Sequence, residues 1–187
     1  MTGGTVAGDV YGGHTVGSGN VTKSAITLKG GSVAGDVYGG KTTGTGAATG
    51  HTLNLYGGSV TGSVYGGHSA SGATTGNTVN LGNGTTNDVT SVTGTIYGGS
   101  GTDTTGNVLN VNTNATVGNI ANFGMVNFNY KATTTSDANP MLTISGGATT
   151  FDWGKFTYNG AMPTSGKLTL MKNTANINLG TTYRGAK

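Results

Sequence analysis

The sequence predicts an all-β fold of the parallel β-helix type, a β-solenoid, from a repeat, a strand pattern and a composition. A ten-residue phrase recurs at 4–13 (GTVAGDVYGG), 31–40 (GSVAGDVYGG), 58–67 (GSVTGSVYGG) and, in shortened form, 92–99 (VTGTIYGG). Its tyrosines are separated by 27, 27 and 32 residues. A fixed period in the range of about 20–50 residues is typical of arrays whose stacked units share one continuous core.

Each repeat contains two segments with the period-two alternation of a β-strand. The first has the pattern Val-x-Gly-x-Val-Tyr. The second alternates apolar residues with Thr or Asn, at 26–28, 53–55, 79–81 and 109–111. Equivalent residues of stacked turns lie about 4.8 Å apart, so Thr27, Asn54, Asn80 and Asn110 are predicted to form a polar ladder. The glycine pairs that follow predict tight bends with positive φ.

Polar stretches of about ten residues separate each Tyr-Gly-Gly from the next strand, at 14–24, 41–51, 68–77 and 100–106. They vary in sequence and slightly in length, and their composition is typical of loops. We expect them to project from one edge of the coil.

The chain divides into two parts of one solenoid. Residues 1–112 are predicted to form regular turns of about 27 residues, and residues 113–187 shorter, divergent turns and a C-terminal cap. The second part holds Trp153, all four Phe, both Pro and all but one Met. Counting core positions there predicts that Phe128, Ile144 and Leu170 continue the column of Val111. A cap is expected because an open strand edge recruits other chains.

Composition excludes several classes of protein. The chain has 38 Gly, 2 Pro and no Cys, Glu or Gln, which disfavours helices and excludes thiol chemistry. Its net charge is +3, but the cations are scattered, so a nucleic-acid partner is not predicted. No apolar run approaches the length of a membrane helix, so the fragment itself is not expected to insert. Because residues 2–4 match the middle of the repeat, we expect a fragment of a longer protein.

Two acidic residues share a place in the repeat. Asp9 and Asp36 are predicted to stack about 5 Å apart, and paired carboxylates can recruit a cation such as Ca²⁺. The next turns carry Ser63 and Thr95 instead. We therefore predict an outward-facing structural pair and only weak metal candidates, with no cofactor required.

The best candidate binding residues form two neighbouring columns. One column contains tyrosines and the other the residues directly after Gly-Gly; the candidates are Tyr11, His14, Tyr38, Lys41, Tyr65 and His68. Ser100 follows Gly-Gly in the fourth turn. Such a polar and aromatic surface suits glycan contact, whereas an aromatic ladder that only stabilises the coil is the alternative. No nucleophile–base–orienter arrangement is evident, so an enzyme is not predicted.

The Val-x-Gly-x-Val-Tyr-Gly-Gly and Asn-x-Val-Asn-Leu-x-Gly motifs resemble those of passenger regions from bacterial type V autotransporter adhesins. The segments 140–144 and 166–171 are similar to the end of such a passenger. The resemblance implies a single-stranded right-handed parallel β-helix on the bacterial cell surface. It also implies an outer-membrane anchor, a C-terminal barrel that is missing from this sequence.

These observations predict an extracellular stalk or adhesin fragment whose loops contact host or bacterial surface glycans or proteins. Repeated weak contacts would supply avidity. Two alternatives remain. One is a self-associating structural fibre subunit, and the other is a carbohydrate-active enzyme that uses Asp9 and Asp36.

Overall fold

The computed structural model describes residues 1–84, 90–129, 140–146, 153–160, 168–174 and 182–183. These residues form a parallel β-solenoid of about five turns, which confirms the predicted all-β solenoid. The described part contains one 3₁₀ turn, Trp153–Lys155, and no α-helix. Within it, no helix is long and apolar enough to cross a membrane. The prediction of a cap rests largely on residues outside this part.

Most strands belong to one fifteen-stranded sheet whose pairings are all parallel in the described residues. The strands are Thr5–Val6, Val10–Tyr11, His14–Thr15, Val21–Thr22, Ala25–Val33, Val37–Thr42, Ala48–Thr49, Thr52–Val60, Val64–Ser69, Thr78–Leu81, Thr90–Tyr97, Val108–Val111, Ala115–Ala121, Met125–Asn129, Leu142–Ile144, Phe156–Asn159, Leu168–Thr169, Met171–Asn173 and Thr182–Tyr183. Two small sheets stand apart: Val21–Thr22 pairs with Ala48–Thr49 in parallel, and Leu168–Thr169 pairs with Thr182–Tyr183 antiparallel.

Equivalent residues of the repeat lie side by side, as the period predicts. Asn54 pairs with Thr27 on one side and Asn80 on the other, and Asn110 follows Asn80. Their amides form a ladder: Nδ2 of Asn54 donates to Thr27 Oγ1 at 3.2 Å, Asn80 to Asn54 Oδ1 at 2.8 Å and Asn110 to Asn80 Oδ1 at 2.7 Å. Asn127 extends the ladder by one turn at 2.8 Å. The predicted outward ladder is confirmed.

The apolar residues that alternate with this ladder fill the interior of the coil. The fully buried side chains include Leu53, Leu55, Val79, Leu81, Leu109, Val111 and Phe128. No single turn could bury them, so the hydrophobic effect acts only between stacked turns. Gly31 and Gly58, which follow this segment, have the predicted positive φ, 85° and 83°. The strands nevertheless continue through them to Val33 and Val60, with a register irregularity between Leu28 and Ser32.

The Val-x-Gly-x-Val-Tyr segment differs from its prediction as one strand. In the second turn it divides into the end of Ala25–Val33 and the start of Val37–Thr42, with a bend between them. The physical reason is that the Asp36 N–H donates to the Asp9 carboxylate instead of a ladder carbonyl. In the fourth turn the segment is one strand, Thr90–Tyr97, with a register shift between Val92 and Thr95.

The divergent part also corrects two column assignments, those of Ile144 and Leu170. Ile144 does not follow Phe128; it pairs with Val117, in the column of the first strand, and its partner in the next turn is Asn173 and not Leu170. Tyr158 takes the place after Phe128. Both kinds of strand alternate apolar residues with Thr or Asn, so the pattern alone does not separate them once Tyr-Gly-Gly is lost.

The polar stretches predicted as loops are partly built into the coil. The first two residues of each stretch belong to paired strands: His14–Thr15 lies in register with the end of Val37–Thr42, which lies in register with the end of Val64–Ser69. Thr42 is fully buried, and its Oγ1 lies within hydrogen-bond distance of Gly46 O (2.8 Å) and Ser69 Oγ (3.0 Å). The first stretch keeps an exposed tip at Val16.

Candidate functional site

The tyrosines predicted as a column form a continuous stack of rings. The centroid distances are 5.2 Å for Tyr11–Tyr38, 4.9 Å for Tyr38–Tyr65 and 4.8 Å for Tyr65–Tyr97. The planes are within 8° of parallel. The spacing is that of the strands themselves, so the backbone register fixes the stack. Such contacts contribute about 0.5–1.5 kcal/mol per pair beyond burial.

The residues after Gly-Gly lie against these rings. His14 stacks on Tyr11 with a centroid distance of 5.0 Å. Lys41 Nζ lies 4.1 Å from the Tyr38 centroid, within the range of a cation–π contact. The glycine pair before Lys41 allows close packing of the next turn and the interior: a Cβ on Gly39 would lie 2.3 Å from Gly66 O, and one on Gly40 2.2 Å from His51 Nε2.

In the third turn the residue after Gly-Gly is His68. Its ring meets Tyr65 and Tyr38 edge-on, with centroid distances of 5.3 Å and 5.7 Å. We call the predicted set, which the structure brings together on one surface, the aromatic–basic stripe: Tyr11, His14, Tyr38, Lys41, Tyr65 and His68.

Asp9 and Asp36 stand at the edge of this stripe, and each carboxylate accepts two hydrogen bonds. Asp9 Oδ1 accepts from the N–H of Asp36 at 2.9 Å, and its Oδ2 accepts from the Tyr11 hydroxyl at 2.7 Å. Asp36 repeats the arrangement with the Ser63 N–H at 2.7 Å and the Tyr38 hydroxyl at 2.9 Å. The carboxylates therefore tie one turn to the next and fix the tyrosine rings.

Hydrogen bonding and burial shift the pKa values of Asp9, Tyr11 and Tyr38. The Asp36 N–H, and then the Tyr11 hydroxyl, lower the pKa of Asp9. The bond to Asp9 raises the pKa of Tyr11, whereas burial is the main cause that raises the pKa of Tyr38. The lowered pKa keeps the Asp9 carboxylate ionised at neutral pH, and the raised pKa values keep the Tyr11 and Tyr38 hydroxyls protonated. In the described residues, no group of three or more His, Asp, Glu or Cys is arranged to hold a metal ion.

The members of the stripe are unequally accessible. Tyr11 is 40% exposed, whereas Tyr38 is 5% exposed because neighbouring rings and Lys41 cover it. His14 is exposed, and Lys41, Tyr65 and His68 are partly buried. A ligand can therefore reach Tyr11 and His14 most directly, while Tyr38 mainly supports them.

A second polar column, which was not predicted, lies inside the coil. It consists of His51, Asn77 and Asn107, all fully buried. Each accepts the backbone N–H of the turn before it: His51 Nδ1 from Ser24 at 3.1 Å, Asn77 Oδ1 from His51 at 3.0 Å and Asn107 Oδ1 from Asn77 at 3.0 Å. We call this set the corner column. In the sequence, each of these residues stands two positions before the first apolar residue of the second strand segment, at 53, 79 and 109.

His51 makes the corner column sensitive to acid. Its Nδ1 accepts a hydrogen bond, so the buried ring is neutral, and burial lowers its pKa below the ordinary 6.5. The unfolded chain then binds the proton more readily. Stability is therefore complete above about pH 6.5 and decreases as the pH falls towards the folded pKa.

We expect His51→Asn to reduce this loss, because Asn occupies the same place in the next two turns. The free energy of unfolding, measured by urea denaturation from pH 7.5 to 5, should have a shallower pH slope, by up to about 1.4 kcal/mol per pH unit. Burial also lowers the pKa of His68, so His68→Ser is the matched variant and removes only the contribution of that ring to the slope. An unchanged slope in His51→Asn would show that the buried ring is not the acid-sensitive group.

Comparison with known proteins gives no family assignment. No family model matches the chain, and no curated protein or solved structure matches it at a significant level.

Proposed function

We propose that this chain is part of an extracellular β-helical stalk of a bacterial surface adhesin, similar to an autotransporter passenger. The supporting observation is that backbone register holds equivalent side chains in columns over successive turns. A rod of this kind presents one chemical surface repeatedly along its length. Repeated weak contacts then add through a high effective concentration.

The aromatic–basic stripe is the surface proposed to make the contacts with host or bacterial glycans or proteins. Exposed aromatic rings present flat apolar faces with polar edges, and Lys41 and His14 add hydrogen-bond donors. The ordering cost is low, because stacking and the Asp–Tyr hydrogen bonds already fix the rings. A pre-organised surface loses less conformational entropy when it binds.

The structure favours this proposal over the carbohydrate-active enzyme that uses Asp9 and Asp36. Both carboxylates accept hydrogen bonds from a backbone N–H and from a tyrosine hydroxyl. A general acid must be protonated at its working pH, and these bonds lower the pKa of Asp9. Their geometry serves the stacking of turns.

The test is a screen of the purified chain on glycan and extracellular-matrix protein arrays, with and without Ca²⁺. The variant to be compared combines His14→Ser, Lys41→Ser and His68→Ser. Serine is chosen because Ser100 already follows Gly-Gly in the fourth turn. This change keeps the buried residues of the polar stretches, which a full loop replacement would remove. Lys29→Ser is the control, because it removes one exposed lysine outside the stripe.

We expect the unmodified chain and Lys29→Ser to bind the same ligands, and the triple variant to lose at least tenfold in affinity. Circular dichroism would confirm that all three chains are folded. Equal binding by the triple variant would refute the stripe as the contact surface. Failure of the folded, unmodified chain to bind any array member would contradict a contact role for this segment.

A further inference from the structure

The ring faces of the tyrosine stack are occupied in the inner turns. Tyr38 lies between Tyr11 and Tyr65, with centroid distances of 5.2 Å and 4.9 Å. Tyr65 has the fourth ring of the stack on its other face at 4.8 Å. A ligand on these turns therefore finds no free ring face. It meets the partly exposed side chains that lie beside the rings, Lys41 and His68.

Lys41 carries a positive charge that is held in place but not paired. Its Nζ lies 4.1 Å from the Tyr38 centroid and 5.5 Å from the Tyr11 centroid. Among the described residues it makes no ion pair and no hydrogen bond. The carboxylates of Asp9 and Asp36 already accept two hydrogen bonds each. The N–H donors of the Lys41 ammonium are therefore open to an acceptor on a ligand.

Lys41 lies between two histidines in the stacked register. It pairs with His14 on one side and with His68 on the other, one strand spacing of about 4.8 Å away in each case. The groups that face His68 are the Lys41 ammonium, the Asp36 carboxylate and the Tyr38 and Tyr65 rings. Its buried Nδ1 has no hydrogen-bond partner in the described residues, and burial, followed by the Lys41 charge, lowers its pKa. His68 therefore takes up a proton readily only when a further negative charge comes close.

The formal charge of this cluster is reversed when its histidines are protonated. Lys41, Asp9 and Asp36 together give −1 when His14 and His68 are neutral. Histidine side chains take up protons in mildly acidic solution, and two protons change the sum to +1. Attraction of an anionic ligand should therefore increase as the pH falls.

The surroundings of the cluster suit an extended polar ligand better than a protein. Protein interfaces contain an apolar core. In the described part of the chain, the exposed large apolar side chains are Met1, Tyr11, Val16 and Met125, and only Tyr11 belongs to the stripe. An acidic glycan needs no such core, since its hydroxyl and anionic groups bind polar side chains directly.

On the basis of the proposed contact role of the stripe, we propose that its ligand is an acidic glycan whose carboxylate or sulfate groups bind Lys41 and the neighbouring histidines, with an affinity that increases in mildly acidic solution. Hydrogen bonds between charged groups are about twice as strong as neutral ones, which favours such a glycan over a neutral one. By linkage, a bound anion favours protonation of His68 as much as protonation favours the anion.

The test measures the binding of three polymers by isothermal titration calorimetry at pH 7.5 and 5.5: heparin, which is sulfated, polygalacturonate, which is carboxylated, and neutral dextran. We expect at least one acidic polymer to bind about tenfold more tightly at pH 5.5, and dextran not to bind. Lys41→Gln should weaken binding about tenfold at both pH values. Lys29→Gln, which changes an exposed lysine outside the stripe, should bind as the unmodified chain does. The more tightly bound acidic polymer identifies the anionic group.

Histidine variants separate the effect of pH on binding from its effect on folding, which circular dichroism monitors at both pH values. The double variant His14→Ser with His68→Ser should keep its pH 7.5 affinity at pH 5.5, whereas His51→Asn should retain the increase. The His68 imidazole, followed by NMR, should titrate at higher pH when the acidic polymer is bound. An increase that persists in the double variant, or equal binding of dextran or polyglutamate, would overturn the proposal.

Failure of this proposal is distinguishable from failure of the proposed function. If a neutral glycan of the array binds through the stripe and the acidic polymers do not, the acidic ligand is wrong and the contact role remains. If the folded chain binds neither the polymers nor any array member, both are wrong.

Discussion

Replacing Gly62 by alanine should destabilise the protein by about 3 kcal/mol, the upper part of the range for overpacking a close-packed site. A Cβ there would lie 2.4 Å from both Asp36 Oδ1 and Gly35 O. The backbone carbonyl can move only if two turns separate, and the carboxylate is held by the Ser63 N–H. One methyl group therefore disturbs both the ladder and a side-chain bond.

Urea denaturation gives the measurement, and Gly8→Ala is the matched control. Gly8 holds the same place in the repeat but has no neighbour within 4 Å, so its free energy of unfolding should change by less than about 1 kcal/mol, in the stabilising direction. Similar losses for the two variants would mean that the turns are not stacked as described.

Replacing Asn77 by leucine should have an effect of similar size, about 3 kcal/mol, because several buried polar groups lose partners together. The Oδ1 of Asn77 accepts the His51 N–H, and its Nδ2 donates to Thr74 O at 3.0 Å and Gly98 O at 3.2 Å. Leucine has nearly the same size but satisfies none of these groups.

The control for Asn77→Leu is Asn80→Leu on the outer ladder. Asn80 is only partly buried, so water can satisfy its partners, and the loss should be about 1 kcal/mol. Thermal and urea unfolding would both report the difference. Equal losses at the two positions would contradict the burial of the corner column.

The period and alternation of the sequence predicted the columns of the fold because both depend on backbone geometry alone. Strands stacked in parallel place residue i beside its equivalent in the next turn, whatever lies between. The 27-residue and 32-residue tyrosine spacings could thus be aligned before the structure, and Tyr65 does pair with Tyr97. The positive φ of Gly31 was predicted separately, from the conformational freedom of glycine.

The role of Asp36 was only partly predictable. Its stacking on Asp9 follows from the repeat, but its two hydrogen bonds depend on a bend that breaks the expected strand. The Asp-x-Tyr spacing puts both side chains on one face of an extended segment, so the bond to Tyr38 had a signal in the sequence. The bond to the Ser63 N–H had none, because it uses a backbone group of another turn.

The corner column was missed because polar residues before a strand usually indicate a loop. His51 and Asn107 are buried since stacked side chains satisfy one another's backbone N–H groups. Composition does not show that these buried backbone N–H groups have hydrogen-bond acceptors, because the acceptors lie 26 to 30 residues away in the sequence. For the same reason, the accessible part of the stripe around Tyr11 could be located only in the structure.

A NOESY spectrum of the chain with selectively labelled tyrosines would test whether the register continues across polar stretches of different length. The Tyr65–Tyr97 pair, with centroids 4.8 Å apart, spans the longest spacing. We predict ring-to-ring cross-peaks for Tyr11–Tyr38, Tyr38–Tyr65 and Tyr65–Tyr97. Absence of the Tyr65–Tyr97 cross-peak in a folded sample would contradict the stacked columns and, with them, the repeated surface proposed for binding.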